Sequence, residues 1–563
     1  MHRHTANLSF VIFIFVIPSF LPLAAQVRES NAGMLIESTG GMVVSASPEA
    51  SAVGAAVLRA GGNAVDAAVA TGFALAVTYP SAGNIGGGCY ILIRLADGRE
   101  AAIDARETAP AAASRDMYID RNGSVEQEQL LYGPSAAGVP GSVDGLLHAL
   151  EKYGTRSRED MLRHAIGLAR DGFPVHRRLA AGFRLYRQEF IRYSSTWNMF
   201  APSGTLPAAG ETWTQLQLAR TLQRISDSGR AGFYRGETAR LIVAGMAAEG
   251  GYITEADLAD YRCIERRPLR GRYRGFDILS MPPSSSGGVA LLQMLGMLEG
   301  VERFSPPAGD ARSASLMIEA MRRAFADRAE FLGDPAFSKI PLDRLLSREY
   351  LDSLFTGVDG SRATPSAALR RAVAPSKEGN NTTHYSVVDR WGNAVSVTTT
   401  INSTFGSKYA VPDAGFLLNN EMDDFSARPG VPNQFGLIGG EANSIAPGKR
   451  MLSSMTPTIV LEDGKTRLLL GSPGGSRIIT TVLQVLMNVL DFGLSLDAAV
   501  ARRRFHHQWY PDVVITEQNA FDRKTATALR AMGYDIRQDP DFGRVDAIYI
   551  TPAGQRQGFS DPR

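Results

Sequence analysis

Cysteine is nearly absent: Cys89 and Cys263 are the only two in 563 residues, and they lie far apart in the chain. A disulfide-stapled scaffold is therefore excluded; two buried small side chains are the simpler expectation, with one bond between them left open. Histidine is scarce as well. Of eight, only His506 and His507 are adjacent, none are spaced i, i+4, and HExxH is missing, so the sequence offers no helical zinc pair. An excess of one charge is also lacking. Lys and Arg total 59 against 57 Asp and Glu, a net charge of +2 without one-sign blocks, which gives no case for nucleic acid or a basic membrane-binding face. Phosphate loops fail too. Gly86-Gly87-Gly88 lacks the Gly-Lys-Ser/Thr ending, and Gly448-Lys449 is followed by Arg450. Pro283-Ser284-Ser285-Ser286-Gly287-Gly288 lacks the Gly-x-Ser-x-Gly elbow. These glycine-rich runs read as turns or tight backbone contacts.

What is present begins with a leader. Arg3 precedes an apolar run from Leu8 to Phe20, broken by Pro18 and Pro22, and Leu23-Ala24-Ala25 follows. Charged start, apolar centre and small-residue exit predict a secretory signal peptide over residues 1–25, with an uncleaved anchor as the alternative. The mature protein is then exported, to the periplasm or, alternatively, outside the cell. No later stretch is apolar enough to span a bilayer, so no stable membrane span is expected.

The remaining chain is long enough for a large core and alternates helix and strand patterns. Gly41 to Val44 reads as a strand. Pro48 to Arg59 and Ala64 to Val77 read as Ala-rich helices that pack closely on something flat. Tyr90 to Leu95 and Glu100 to Asp104 flank the turn Asp97-Gly98. Residues 141–331 look largely helical, with periodic faces such as Met161, Ala165, Leu168 and Ala169. Thr356 to Asn381 is rich in Ala, Ser, Pro, Gly and Arg and is predicted to be exposed and mobile, with a short helix near Ala367 to Val373. At Thr382 the pattern turns abruptly to β. His384 to Asp389 alternates, Trp391-Gly392-Asn393 turns and Ala394 to Thr400 returns. Further strands are expected at Pro457–Leu461, Thr466–Leu470, Val513–Glu517 and Ala547–Ile550. Helices are expected at Ile478–Asp491 and after Ser495.

Thr-Thr at the head of a buried strand is unremarkable by itself, because threonine suits strands. Its surroundings carry more. Thr382-Thr383-His384-Tyr385-Ser386-Val387-Val388-Asp389 resembles the start of the small subunit of γ-glutamyltranspeptidases, a family of N-terminal nucleophile hydrolases. The similarity continues through Asn419-Asn420-Glu421-Met422-Asp423-Asp424-Phe425, Leu452-Ser453-Ser454-Met455 and Gly471-Ser472-Pro473-Gly474-Gly475-Ser476-Arg477. Upstream it includes Gly62-Asn63-Ala64-Val65-Asp66-Ala67-Ala68, Asn84-Ile85-Gly86-Gly87-Gly88 and Asp104-Ala105-Arg106-Glu107.

The resemblance implies a four-layer αββα sandwich in the α/β (α+β) class. It implies self-cleavage into a large subunit, 26–381, and a small catalytic subunit, 382–563, paired as a heterodimer around one core. Thr382 would be the nucleophile, activated by its own freed amine, whose pKa would be roughly 7.7–8. Thr400 would assist it, and backbone N–H groups of Gly474 and Gly475 would hold the oxyanion. Arg106, Ser453 and Ser454 would bind a substrate carboxylate, and Asn402, Glu421 and Asp424 an ammonium. The implied substrates are glutathione and other γ-glutamyl compounds, the acceptors water and amino-acid or peptide amines, and no cofactor or metal is implied. Two same-fold alternatives are a glutaryl-β-lactam acylase and a poly-γ-glutamate hydrolase; a non-catalytic exported binding protein is an alternative of another class.

Three positions depart from the family pattern. Asn381 stands where some bacterial members have glutamine, and Cys89 replaces a frequent glycine. Phe435 replaces a frequent tyrosine in the lid-like stretch Pro429 to Gly440, which removes a hydroxyl latch.

Overall fold

The protein was analysed as a computed structural model that describes residues 33–302, 304–369, 382–540 and 542–563. The expected signal peptide, Asn381 and most of the expected short helix lie outside the described residues; its first turn is Ser366–Leu369.

Two antiparallel sheets form the centre. The first has six strands in the spatial order Met42–Ser45, Thr383–Val388, Ala394–Thr400, Gly88–Arg94, Glu100–Ala105 and Ile264–Arg266. The second has seven: Ile36–Ser38, Arg556–Ser560, Asp546–Ile550, Lys465–Leu470, Thr458–Glu462, Phe276–Ser280 and Leu269–Tyr273. Strands from before and after position 382 are neighbours in both sheets, so the two halves of the chain are interleaved rather than adjacent.

Helices cover the outer faces. Ala64–Thr78 starts with a capping box between Asn63 and Asp66 and is buried along its whole length. Its small side chains let it lie close on Thr383–Val388 and Ala394–Thr400, while Pro48–Arg59 packs outside it. On the other side Gly287–Glu299 rests on Leu269–Tyr273 and Phe276–Ser280, flanked by Ala311–Phe331 and Arg477–Leu490. The result is the expected αββα sandwich.

Strand alternation sorts the core. Ile91, Ile93, Tyr385, Val387, Val395 and Val397 join the apolar layer under the first helices. Tyr90 and Leu92 point the other way, into the layer shared by the two sheets. In the central hairpin that same inner face carries His384, Ser386, Ser396, Thr398 and Thr400. It is a polar stripe between two sheets, and it must satisfy itself.

Two expectations need correction. Residues 141–331 are not helical throughout. Ile264–Arg266, Leu269–Tyr273 and Phe276–Ser280 are strands; the first two lie at sheet edges, where their Arg side chains meet water, and Phe276–Ser280 is paired on both sides. Ser495 occupies the N-cap of Leu496–Ala501 but makes no side-chain cap bond. The cysteine question is settled by register. Cys89 lies opposite Ala105, and Asp104 lies opposite Ile264, so Cys263 is two strand spacings from Cys89. About 9–10 Å is too far for a disulfide, and both thiols are free.

Candidate active site

The hairpin register fixes the first pair. Thr383 lies opposite Thr399, which brings Thr382 opposite Thr400. Their hydroxyl oxygens are 3.5 Å apart. Thr400 Oγ1 also accepts from the Asn402 N–H at 2.8 Å, where the chain turns with a left-handed φ of 69°. The end of this strand is pinned from outside by Asn84. Its amide nitrogen donates to the Thr400 carbonyl at 2.9 Å, and its oxygen accepts from Gly87 N–H and the Ser142 hydroxyl. Gly87 has to be glycine, since a Cβ there would stand 2.1 Å from the Thr400 carbonyl oxygen. The glycine-rich run is thus a tight backbone contact, as its sequence indicates.

Below the threonines the polar stripe closes on itself. The two His384 ring nitrogens pair with Thr398 Oγ1 at 2.9 Å and Ser386 Oγ at 3.0 Å. Burial lowers the His384 pKa to about 3, so the ring is neutral. It ties the hairpin together through Thr398 and Ser386.

Charged groups gather beside the threonine pair. Arg106 is buried, with Nη1 2.7 Å from Glu421, Nη2 paired with Asp424, and Nε donating to the Met451 carbonyl at 3.1 Å. Burial works against its charge, but the carboxylates of Glu421, Asp424 and Glu107 outweigh it and hold its pKa above the usual arginine range. Burial pushes Glu421 well up, against the pull of Arg106, and raises Glu107 to about 7. A guanidinium and two carboxylates in contact form adjoining cationic and anionic patches.

The far wall is the turn before the helix Arg477–Leu490. Gly474 and Gly475 both have positive φ, 133° and 54°, which favours glycine. The partial positive charge of that helix N-terminus lies next to them. A Cβ on Gly475 would approach the Phe435 ring to 2.7 Å. Phe435 therefore packs on the glycine turn and roofs the cavity. Lacking a hydroxyl, the 429–440 stretch is held by its neighbour: Gln434 Oε1 accepts from Ser403 Oγ at 2.8 Å, and the Phe435 carbonyl accepts from Gln508 Nε2 at 3.2 Å.

One recess of about 290 Å³, including its open mouth, joins these parts. Thr382, Thr400, Arg106, Asn402, Glu421, Asp424, Ser453, Ser454 and Gly475 all line it, with Phe435 and Met455. Of the expected catalytic and substrate-binding residues, Gly474 alone is not among those that line it. Sequence reasoning missed Asn84 as a strap on Thr400, Glu107 beside Arg106, and the Ser284–Ser286 segment, which runs under Ser453 with the Ser453 N–H bonded to the Ser284 carbonyl. The first two lie inside quoted motifs. The third carried no signal beyond its run of serines.

A hydroxyl residue at the head of an inner strand in an αββα sandwich, opening onto a polar cleft, defines the class of N-terminal nucleophile hydrolases. The chain belongs to the γ-glutamyltranspeptidase family, whose model matches residues 50–563. It is 46% identical over 529 residues to a glutathione hydrolase proenzyme of Escherichia coli, covering 94% of this chain and 91% of the relative. Among solved structures it resembles cephalosporin acylase from Bacillus halodurans, with TM-score 0.83, 28% identity and 98% of both chains covered. It also resembles γ-glutamyltranspeptidase from Helicobacter pylori, with TM-score 0.57 and 40% identity, over 60% of this chain and 97% of that one.

Proposed function

We propose that the protein is a self-processing γ-glutamyltransferase that cleaves glutathione and related γ-glutamyl amides. Breaking the bond before Thr382 yields subunits of 26–381 and 382–563 and gives Thr382 a free amine. That amine takes the hydroxyl proton, and Oγ attacks the γ-carbonyl carbon. The tetrahedral oxyanion is met by N–H groups of Gly474 and Gly475. The C–N bond then breaks, and the Thr382 ammonium returns its proton to the leaving amine, cysteinylglycine in the case of glutathione. The γ-glutamyl ester on Thr382 passes to water or to an amino-acid or peptide amine. Arg106, Ser453 and Ser454 bind the α-carboxylate; Asn402, Glu421 and Asp424 bind the α-ammonium. The chemistry calls for no metal or cofactor, and the processed enzyme works in the periplasm after loss of residues 1–25.

The observation that carries this reading is the shared recess. Thr382 opens onto the same small space as Arg106 and the carboxylates of Glu421 and Asp424. A donor without the ammonium would leave Glu421 and Asp424 paired with Arg106 alone, with no second cation to share them. Comparing γ-glutamyl and glutaryl anilides tests it. Because a site built around polar partners rejects an analogue that lacks one, kcat/KM should favour the γ-glutamyl donor by at least about a hundredfold. A preference for the glutaryl donor would assign the protein to the acylases instead.

A further inference from the structure

Ser454 belongs to the recess, but what stands behind it has no place in the mechanism above. Arg328, on the long helix Ala311–Phe331, is buried with its head against two serines. Its Nε donates to Ser286 Oγ at 2.9 Å and its Nη2 to Ser454 Oγ at 3.3 Å. Among the described residues no carboxylate lies within ion-pairing distance of it, unlike Arg106, which has Glu421 and Asp424. Burial lowers its pKa to about 10, which still leaves it charged at neutral pH; Asp424 and Arg106 are near enough to pull it in opposite directions. A buried guanidinium held only by hydroxyl oxygens is costly unless an anion arrives.

Hydroxyl polarity makes the arrangement directional. A guanidinium has no acceptor, so both serine oxygens must accept from it. Ser286 then turns its own hydrogen to the Ser453 carbonyl, at 2.6 Å. Ser453 Oγ in turn accepts from the Met455 N–H at 3.1 Å. With their oxygens thus engaged, Ser453 and Ser454 both have their hydrogens left to donate, and both line the recess beside Arg106. Two O–H donors and the Arg106 guanidinium line the recess, with the Arg328 charge behind Ser454, which suits a group that accepts and is negative.

Resting on the γ-glutamyl reading of this recess, we propose that Arg328 is a positioning residue for the substrate α-carboxylate. It forces Ser454 to act as a donor, and its charge helps Arg106 offset Asp424. Ser286 is the second anchor of the same guanidinium and ties it to the backbone of Ser453.

Steady-state kinetics of wild type, Arg328→Met and Arg328→Lys with γ-glutamyl and 4-aminobutanoyl anilides test this. The second donor keeps the ammonium and the reacting carbonyl but lacks the α-carboxylate. In Arg328→Met the KM for the γ-glutamyl donor should rise about ten- to a hundredfold while kcat stays within about threefold. For the 4-aminobutanoyl donor kcat/KM should stay within about twofold of wild type. Arg328→Lys keeps the charge and a donor and should recover part of the KM. An unchanged KM in Arg328→Met, or an equal loss with both donors, overturns the role of Arg328 and leaves the γ-glutamyl reading standing. If Arg328→Met fails to self-cleave, the Lys variant decides: a KM rise confined to the γ-glutamyl donor supports the role, and an equal loss on both donors refutes it. A wild type that ignores the γ-glutamyl donor takes both readings down together.

Discussion

At the scale of single residues the recess is a balance of buried charge. Arg106 is held between Glu421 and Asp424, and Asp423 next to them is paired with no cation among the described residues. Burial first, and then the neighbouring Asp424 charge, raise Asp423 to about 8, so its carboxyl carries a proton at neutral pH. The sign of the pH effect follows. The folded protein keeps a proton that the unfolded chain, with an ordinary aspartate near 3.8, has already released. The stability this contributes is complete in acid, and it is lost as pH rises through the folded value. Asp423→Asn should therefore gain thermal midpoint relative to wild type progressively from about pH 4 to about pH 8 and level off above that, with little difference at or below pH 4. Melting curves of both proteins across that range check it. A constant difference at every pH would mean that Asp423 is already ionised in the fold.

At the scale of elements, function rests on how closely backbone can approach backbone. The Gly86-Gly87-Gly88 strap holds the end of Ala394–Thr400 against Asn84. A Cβ at Gly87 would meet the Thr400 carbonyl oxygen at 2.1 Å, which no side-chain rotation relieves. Gly87→Ala should cost about 1–3 kcal/mol and slow self-cleavage, because Thr400 moves with its strand. Gly167→Ala is the contrast. That glycine sits inside Arg158–Asp171 with open space around it, and alanine there should stabilise by about 0.5–1 kcal/mol. Thermal unfolding and a denaturing gel separate the two; equal effects would show that the strap is slack. These elements also mark what could be read in advance. Pro48–Arg59, with Ser47 capping and Pro48 in the first turn, and Ala64–Thr78 were legible because caps and small-residue runs are local signals. The central hairpin was legible from alternation and from Trp391-Gly392-Asn393. The strands between 264 and 280 were not. These segments are too short to show a clear alternation, and only pairing with Glu100–Ala105 and Thr458–Glu462 reveals them. Likewise Thr382, Arg106 and Asp424 were marked by their motifs, whereas Arg328 looked like one more arginine on an amphipathic helix. Its role appears only when the helix is laid behind Ser454, because tertiary burial and not spacing makes that guanidinium unusual.

At the scale of the whole molecule, strands from both sides of position 382 interleave in both sheets. Cutting one peptide bond there leaves every strand pairing in place, so the sandwich can be broken in sequence without being broken in space. This is why a threonine at the head of an inner strand can become a chain terminus in a finished core. Its hydroxyl lies across from Thr400 and beside the charged recess; in the proposed mechanism the free amine supplies the base it lacks. On that reading reactivity is withheld until the fold is complete. Intact-mass measurement of the purified protein tests this most directly. Two chains should appear, the smaller beginning at Thr382, and Thr382→Ala should remain a single chain under the same conditions. A wild type that stays in one piece while hydrolysing γ-glutamyl anilide, or a smaller chain that begins elsewhere, would contradict the assignment of Thr382.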